Sequence, residues 1–178
     1  MRVREAARRA GVSPGAPFRH FQSRDALLAA VAEEAQRRFR AEIDRALAKA
    51  PADDPLKQFR CLGRAYLDWA IRNPTHFEVI SSRLLFDHGK SPTVTRDNDE
   101  VVSLTGQILK DAHARGQLGP SDLKQVLIGA RALVYGFARM AIDGHFPRWG
   151  VAEGEVDRMA DAILDLFISG IARRRGHT

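Results

Sequence analysis

The spacing of the apolar side chains constrains this chain more than any other feature. Leu27, Leu28, Val31, Ala35, Phe39, Ile43 and Leu47 recur at steps that place them on one stripe of a helix. The pattern returns in Phe59, Leu62, Tyr66, Trp69 and Ala70, and again in Val101, Leu104, Ile108 and Leu109. It returns twice more, in Leu127, Ile128, Leu133, Val134, Phe137 and Met140, and in Val156, Met159, Ala160, Ile163, Phe167 and Ile171. Alternation with a period of two is sustained nowhere, and glycines and prolines fall mainly at the breaks. The chain therefore reads as all-α. Helices are predicted over about 24–50, 55–72, 74–85, 96–115, 122–142 and 155–173, with Ser23, Asp54 and Ser121 as N-caps. The polar stretch Asp87–Thr95 reads as a mobile loop.

Ahead of these lies a differently built stretch. Val3–Ala10 predicts a short helix, with Ala6, Ala7 and Ala10 packed inward and Arg4, Arg8 and Arg9 outward. Gly11 supplies the left-handed turn that ends it. Ser13 and Pro14 suit the start of a second short helix, which Pro17 keeps short, and Phe21 anchors its end. Helix, glycine turn and short helix are the outline of a helix-turn-helix that reads DNA.

Charge agrees with that outline. The net charge is +6 and the isoelectric point about 10.1. Residues 1–24 hold six arginines against one acid, Glu5, so the remainder is close to neutral. A basic terminal module on a near-neutral body suits a polyanion partner. Composition excludes other classes. The single cysteine, Cys61, forms no intrachain disulfide and reads as a packed thiol. No unbroken apolar run approaches the ~20 residues of a membrane span, and the N-terminus carries charge where a signal peptide would be apolar. A cytoplasmic location is expected. The six histidines are scattered without metal-ligand spacing. Neither a glycine-rich phosphate loop nor a nucleophile-elbow serine motif is present, so no enzyme, metal or cofactor is expected.

Three blocks carry a resemblance: Val3–Ser13, Phe18-Arg19-His20-Phe21, and Ser23-Arg24-Asp25-Ala26-Leu27-Leu28. Together they closely resemble the DNA-binding module of the tetracycline-repressor (TetR) family over about 30 residues. Arg131-Ala132-Leu133-Val134-Tyr135-Gly136 and Asp143-Gly144 weakly resemble a subgroup with a Trp-x-x-x-His-Gly signature, of which only the glycine is kept. The resemblance implies a helix-turn-helix DNA-binding domain over residues 1–40 and a helical ligand-binding and dimerisation domain over 41–178. Family members carry a helix of about twenty residues ahead of the position of Val3. With Met1 where it stands, either the start codon is assigned too late or the module is short, and a short module leaves Phe21, Leu28 and Val31 short of apolar cover.

The implied DNA-contacting residues are Arg4, Ser13, Gly15, Ala16, Phe18, Arg19, His20 and Arg24. Ser13 sits near a helix N-terminus suited to phosphate. Gly15 and Ala16 allow close approach to base edges. Arg19 suits guanine or phosphate. His20 suits phosphate, or packing on the linking helix. Phe18, where the family usually has tyrosine, keeps packing but loses a hydroxyl. Arg24 suits a phosphate at the edge of the site. In the body, Phe59, Tyr66, Trp69, Phe77, Leu84, Ile108, Tyr135 and Arg139 could line an effector pocket, ordinary core packing being the simpler role for each. The expected partners are an operator in double-stranded DNA, a small-molecule effector, and a second copy bound through the last two helices. The function implied is a repressor released by its ligand; the alternative is a helical ligand-binding protein with impaired or lost DNA binding.

Overall fold

The computed structural model describes residues 8, 11, 13, 15–82, 85, 87, 89 and 91–173. Arg2, Val3, Arg4, Val12, Pro14, Leu84, His88 and His177 lie outside them, as do most of the helix expected over Val3–Ala10 and the side chain of Phe18. Among the described residues the chain is all-α. The helices are α1 (Pro17–His20), α2 (Arg24–Lys49), α3 (Pro55–Arg72), α4 (Pro74–Ser81), α5 (Pro92–Ala114), α6 (Leu123–Ile142) and α7 (Val156–Ile171).

The cap chemistry decides most boundaries. Ser23 Oγ accepts from Ala26 N at 3.0 Å and starts α2, and Asp54 accepts from Lys57 N at 3.1 Å and starts α3. Four boundaries differ from expectation. The short second helix starts at Pro17, where a missing N–H costs nothing in the first turn. α4 stops at Ser81. α5 begins at Pro92, inside the stretch read as a loop, because Ser91 caps it through Val94 N at 3.3 Å. Asp122, not Ser121, caps α6; its carboxylate accepts from Lys124 N and Gln125 N, and its charge suits the helix N-terminus.

α3 is the central element. It buries Phe59, Leu62, Ala65, Tyr66, Leu67, Trp69 and Ala70, and packs against α2, α5, α6 and α7. α2 presents Ala35, Phe39 and Ile43 to it. Nearer its start, α2 joins Ala32 to Val79 of α4 and Val94 of α5 in a second small cluster. α7 is held by Ala160, Leu164 and Ile171, and by ion pairs from Arg60 to Asp161 and Asp165 and from Arg64 to Asp157. α6 is long and apolar enough, by length and composition, to cross a membrane, although Arg131 and Arg139 interrupt it. Val126, Val134, Phe137 and Ala138 instead bury one of its sides in the body.

The α3–α7 contact is tight at Gly63. A Cβ there would lie 2.8 Å from Leu164 Cδ2, a side chain only 4% exposed. Replacing a mid-helix glycine by alanine gains about 0.5–1 kcal/mol in backbone entropy, whereas overpacking costs about 1–3 kcal/mol. Gly63→Ala is thus expected to lower stability, read as an earlier urea midpoint. A later midpoint would show that Leu164 has room to turn aside.

Candidate functional site

Two groups of side chains stand out, one just ahead of α2 and one along its middle. The first surrounds α1. Gly11 closes a turn with φ +70° and donates its N–H to Arg8 O at 3.1 Å. Ala16 N donates to Ser13 O at 2.9 Å, a turn that delivers the chain to Pro17. The four residues of α1 present Arg19 and His20 to solvent. Ser13, Gly15 and Arg24 are also exposed, Ala16 is half-buried, and a Cβ on Gly15 would meet nothing within 4 Å. Neither Arg19 nor Arg24 has a carboxylate partner among the described residues, so both are available to a polyanion.

Further along α2 the arginines are engaged. Arg37 and Arg38 bond Glu34, and Arg45 bonds Glu42. Hydrogen bonds from Arg38 and Arg37 hold the Glu34 carboxyl below its ordinary range. Three contacts strap α2 to the body. The Arg40 guanidinium reaches Glu100 of α5 at 3.1 Å, the Arg72 guanidinium reaches Glu42 at 3.2 Å, and Ser91 Oγ donates to Glu33 at 2.8 Å.

The second group is aromatic and lies in the body. Phe39 meets the edge of Tyr66 at 5.6 Å and the ring of Trp69 at 5.0 Å. Tyr66 meets Phe77 edge-on at 6.0 Å, and Phe77 meets Tyr135 at 5.9 Å. Phe59 and Ile108 belong to the same core. Of the expected effector residues, Tyr66, Phe77 and Tyr135 are brought together with Trp69 close by. Tyr135 alone of the described ones is open to solvent, at 38%. Arg139 is committed elsewhere: its guanidinium bonds Glu78 of α4 and, at 3.0 Å, Asp143.

Two participants do not stand out in the sequence. Phe39 was legible only as part of the α2 stripe. Arg131 sits four residues before Tyr135 and eight before Arg139, on one side of α6, a spacing that could have drawn attention to it. Its guanidinium carbon lies 4.9 Å from the Tyr66 ring centre and 5.9 Å from that of Tyr135. The Tyr66 hydroxyl is buried without a hydrogen-bond partner among the described residues. Burial pushes the phenol up to about 12, against the opposing pull of Arg131. It is therefore a neutral donor at any physiological pH.

Comparison with known proteins bears on both groups. Residues 1–31 match the model of bacterial regulatory proteins of the tetR family, and residues 59–167 match that of the tetracyclin repressor-like C-terminal domain. No curated protein matches the chain. Among solved structures, a protein of unknown function from Rhodococcus sp. RHA1 is 28% identical, with a TM-score of 0.74 over 97% of this chain and 85% of that one. The ketosteroid transcriptional regulator KstR2 of Mycobacterium tuberculosis shares the fold at 17% identity, with a TM-score of 0.75 over 98% of this chain and 86% of that one. The TetR family transcriptional regulator PfmR from Thermus thermophilus does so at 20% identity, with a TM-score of 0.74 over 97% of this chain and 90% of that one. With both of its parts matched in order, the chain belongs to the TetR family of bacterial regulatory proteins.

Proposed function

We propose that this chain is a homodimeric, non-enzymatic transcriptional repressor of the cytoplasm, released from its operator by a small molecule. Residues 1–40 form the DNA-binding domain and residues 41–178 the effector-binding and dimerisation domain. The observation that carries this reading is α2 itself. One unbroken helix of 26 residues, roughly 40 Å at 1.5 Å per residue, runs from the exposed Arg24 at its start to the aromatic core at its middle. Its N-cap adjoins the DNA-facing turn, and its Phe39 touches both Tyr66 and Trp69. A ligand that moves those rings biases the tilt of α2, and with it the separation of the two α1 helices in a dimer. The operator selects one separation, about 34–36 Å or one duplex turn; a ligand favouring another lowers DNA affinity by population shift.

The second copy fits the uncovered side of the last two helices. Ile128, Ala132 and Tyr135 on α6, and Ala162, Leu166 and Ser169 on α7, are spaced along exposed stripes. Ile128 is 59% and Leu166 69% exposed, a cost in water that a four-helix interface would remove. The small residues Ala132, Gly136 and Gly170 permit close backbone approach.

Binding to the DNA upstream of the gene tests this. A dimer making six or more phosphate contacts should lose affinity with a log–log salt slope of about −5 or steeper. Arg19→Ala should weaken operator binding by ~1–3 kcal/mol and relax one base position if Arg19 reads guanine. Equal weakening on every operator variant would assign it to phosphate instead. Failure to bind that DNA at low salt without ligand would favour the alternative, a helical ligand-binding protein with impaired or lost DNA binding.

A further inference from the structure

Arg131 and Tyr66 share an unusual circumstance: among the described residues neither makes a hydrogen bond of good geometry or an ion pair to an acceptor. The Tyr66 residue is 7% exposed, and its hydroxyl oxygen has no hydrogen-bond partner among the described residues. A buried polar group left in this state is costly, so a ligand that satisfies it gains what the free protein lacks. The guanidinium of Arg131 lies over the same ring and has no carboxylate partner among the described residues. Every other guanidinium near this junction is paired, Arg139 with Glu78 and Asp143 and Arg72 with Glu42. Arg131 is an exposed residue on α6, so swinging it outward uncovers a face of Tyr66 that is walled by Phe77.

We propose that the effector is a monoanionic organic acid whose carboxylate is held between the Tyr66 hydroxyl and the Arg131 guanidinium, with its apolar or aromatic body against Phe77 and Tyr135. This rests on the ligand-released reading above and gives its ligand a chemical class. Two donors and no acceptor require an acceptor group. A cation is repelled by Arg131. A neutral carbonyl could take the hydroxyl proton but would leave the guanidinium uncompensated as the site closes. A phosphate dianion would bring a second charge that no unpaired cation here balances, and burying unbalanced charge is strongly unfavourable. One carboxylate matches one guanidinium, whose planar fork suits its two oxygens. The raised pKa of the phenol keeps its proton available for donation.

The test uses the full chain, a ladder of arylalkanoates from phenylacetate to 6-phenylhexanoate, the matching amides, and phenethyl phosphate. Binding is read by thermal shift and calorimetry, and release by DNA binding. A carboxylate of the ladder is expected to bind, with its amide and the phosphate weaker by about tenfold or more. Tyr66→Phe is expected to fold with a melting temperature no lower than that of the wild type, since a buried hydroxyl without a partner costs stability, and to weaken the carboxylate by about tenfold or more and the amide by less. Arg131→Gln should act on the carboxylate in the same direction. A purely structural role for Tyr66 would reverse the pattern, lowering the melting temperature of Tyr66→Phe and leaving affinity unchanged; that result overturns the proposal. So does an amide or phosphate that binds as well as its carboxylate, or a ladder with no binder. Release of the operator by a neutral compound would overturn the carboxylate claim while leaving ligand control standing.

Discussion

Phe77→Ala is expected to lower the free energy of unfolding by about 3–5 kcal/mol, as buried phenylalanine truncations do. Phe77 is 1% exposed, among the largest fully buried side chains of the chain. Its helix, α4, has only eight residues, too few to stand without packing. The ring meets Tyr66 of α3 edge-on at 6.0 Å and Tyr135 of α6 at 5.9 Å, so it joins three helices. Collapse into the space is hindered because the neighbouring rings hold one another: Tyr66 is fixed by Phe39, and Phe39 by Trp69. The cost should therefore include both the lost burial and a residual cavity. Tyr135→Ala, at a position 38% exposed, should cost well under half as much. Urea denaturation followed by circular dichroism measures both. A change below about 1 kcal/mol for Phe77→Ala would mean that α4 repacks, and would detach it from the aromatic relay.

The outline of this aromatic chain is legible in the sequence. The period of the apolar residues gave the helices, because each long one has a single buried side. Cap signals placed most of the ends. Ser23, Asp54 with Pro55, and Asn73 with Pro74 mark boundaries that the structure keeps. Ser91 with Pro92 is the same signal, yet Gly89, Lys90 and the polar run after Pro92 obscured it. The polar residues of that first turn face water, while Val94 alone is buried, at 1% exposure. A single inward residue per turn carries too little periodicity to announce a helix. At Ser121-Asp122 two good caps adjoin, and sequence alone does not rank them; the carboxylate wins by accepting two N–H groups.

The site was less legible than the fold for a physical reason. Charge pairing depends on which helices meet, and spacing along one helix does not reveal that. Arg139 stood out as a polar group near aromatic residues, yet Glu78, 61 residues away in sequence, engages it. Arg131 enters the sequence pattern only as the first residue of the Arg131–Gly136 stretch, and only the docking of α6 on α3 lays it across Tyr66. Exposure at the α1 end was easier to foresee. Arg19 and Arg24 belong to a turn-rich segment too short to bury long cations, and both are exposed.

Leu166→Arg should convert the proposed dimer to a monomer and lower operator affinity by about 10²–10⁴-fold, through loss of the linkage between two half-site readers. In a twofold interface one substitution acts twice, because the same patch serves both copies. Two guanidinium groups would enter an apolar seam with no acid on its exposed stripe to receive them: Ala162 and Ser169 flank Leu166 on α7, and Ile128 and Ala132 face outward on α6. The acids of α7 are already taken, Asp161 and Asp165 by Arg60 and Asp157 by Arg64. Burying an unpaired charge costs several kcal/mol per ion, more than the burial of one leucine returns. Within a single protomer the change is benign, since Leu166 is 69% exposed and the core side of α7 is carried by Ala160, Leu164 and Ile171. Helix content should therefore stay unchanged while the sedimentation coefficient falls to that of a 19.8 kDa chain. A variant that still sediments as a dimer would move the interface off this face. A wild-type protein that is itself monomeric would remove the dimer from the proposed mechanism, and with it the spacing of two α1 helices on which the proposed release depends.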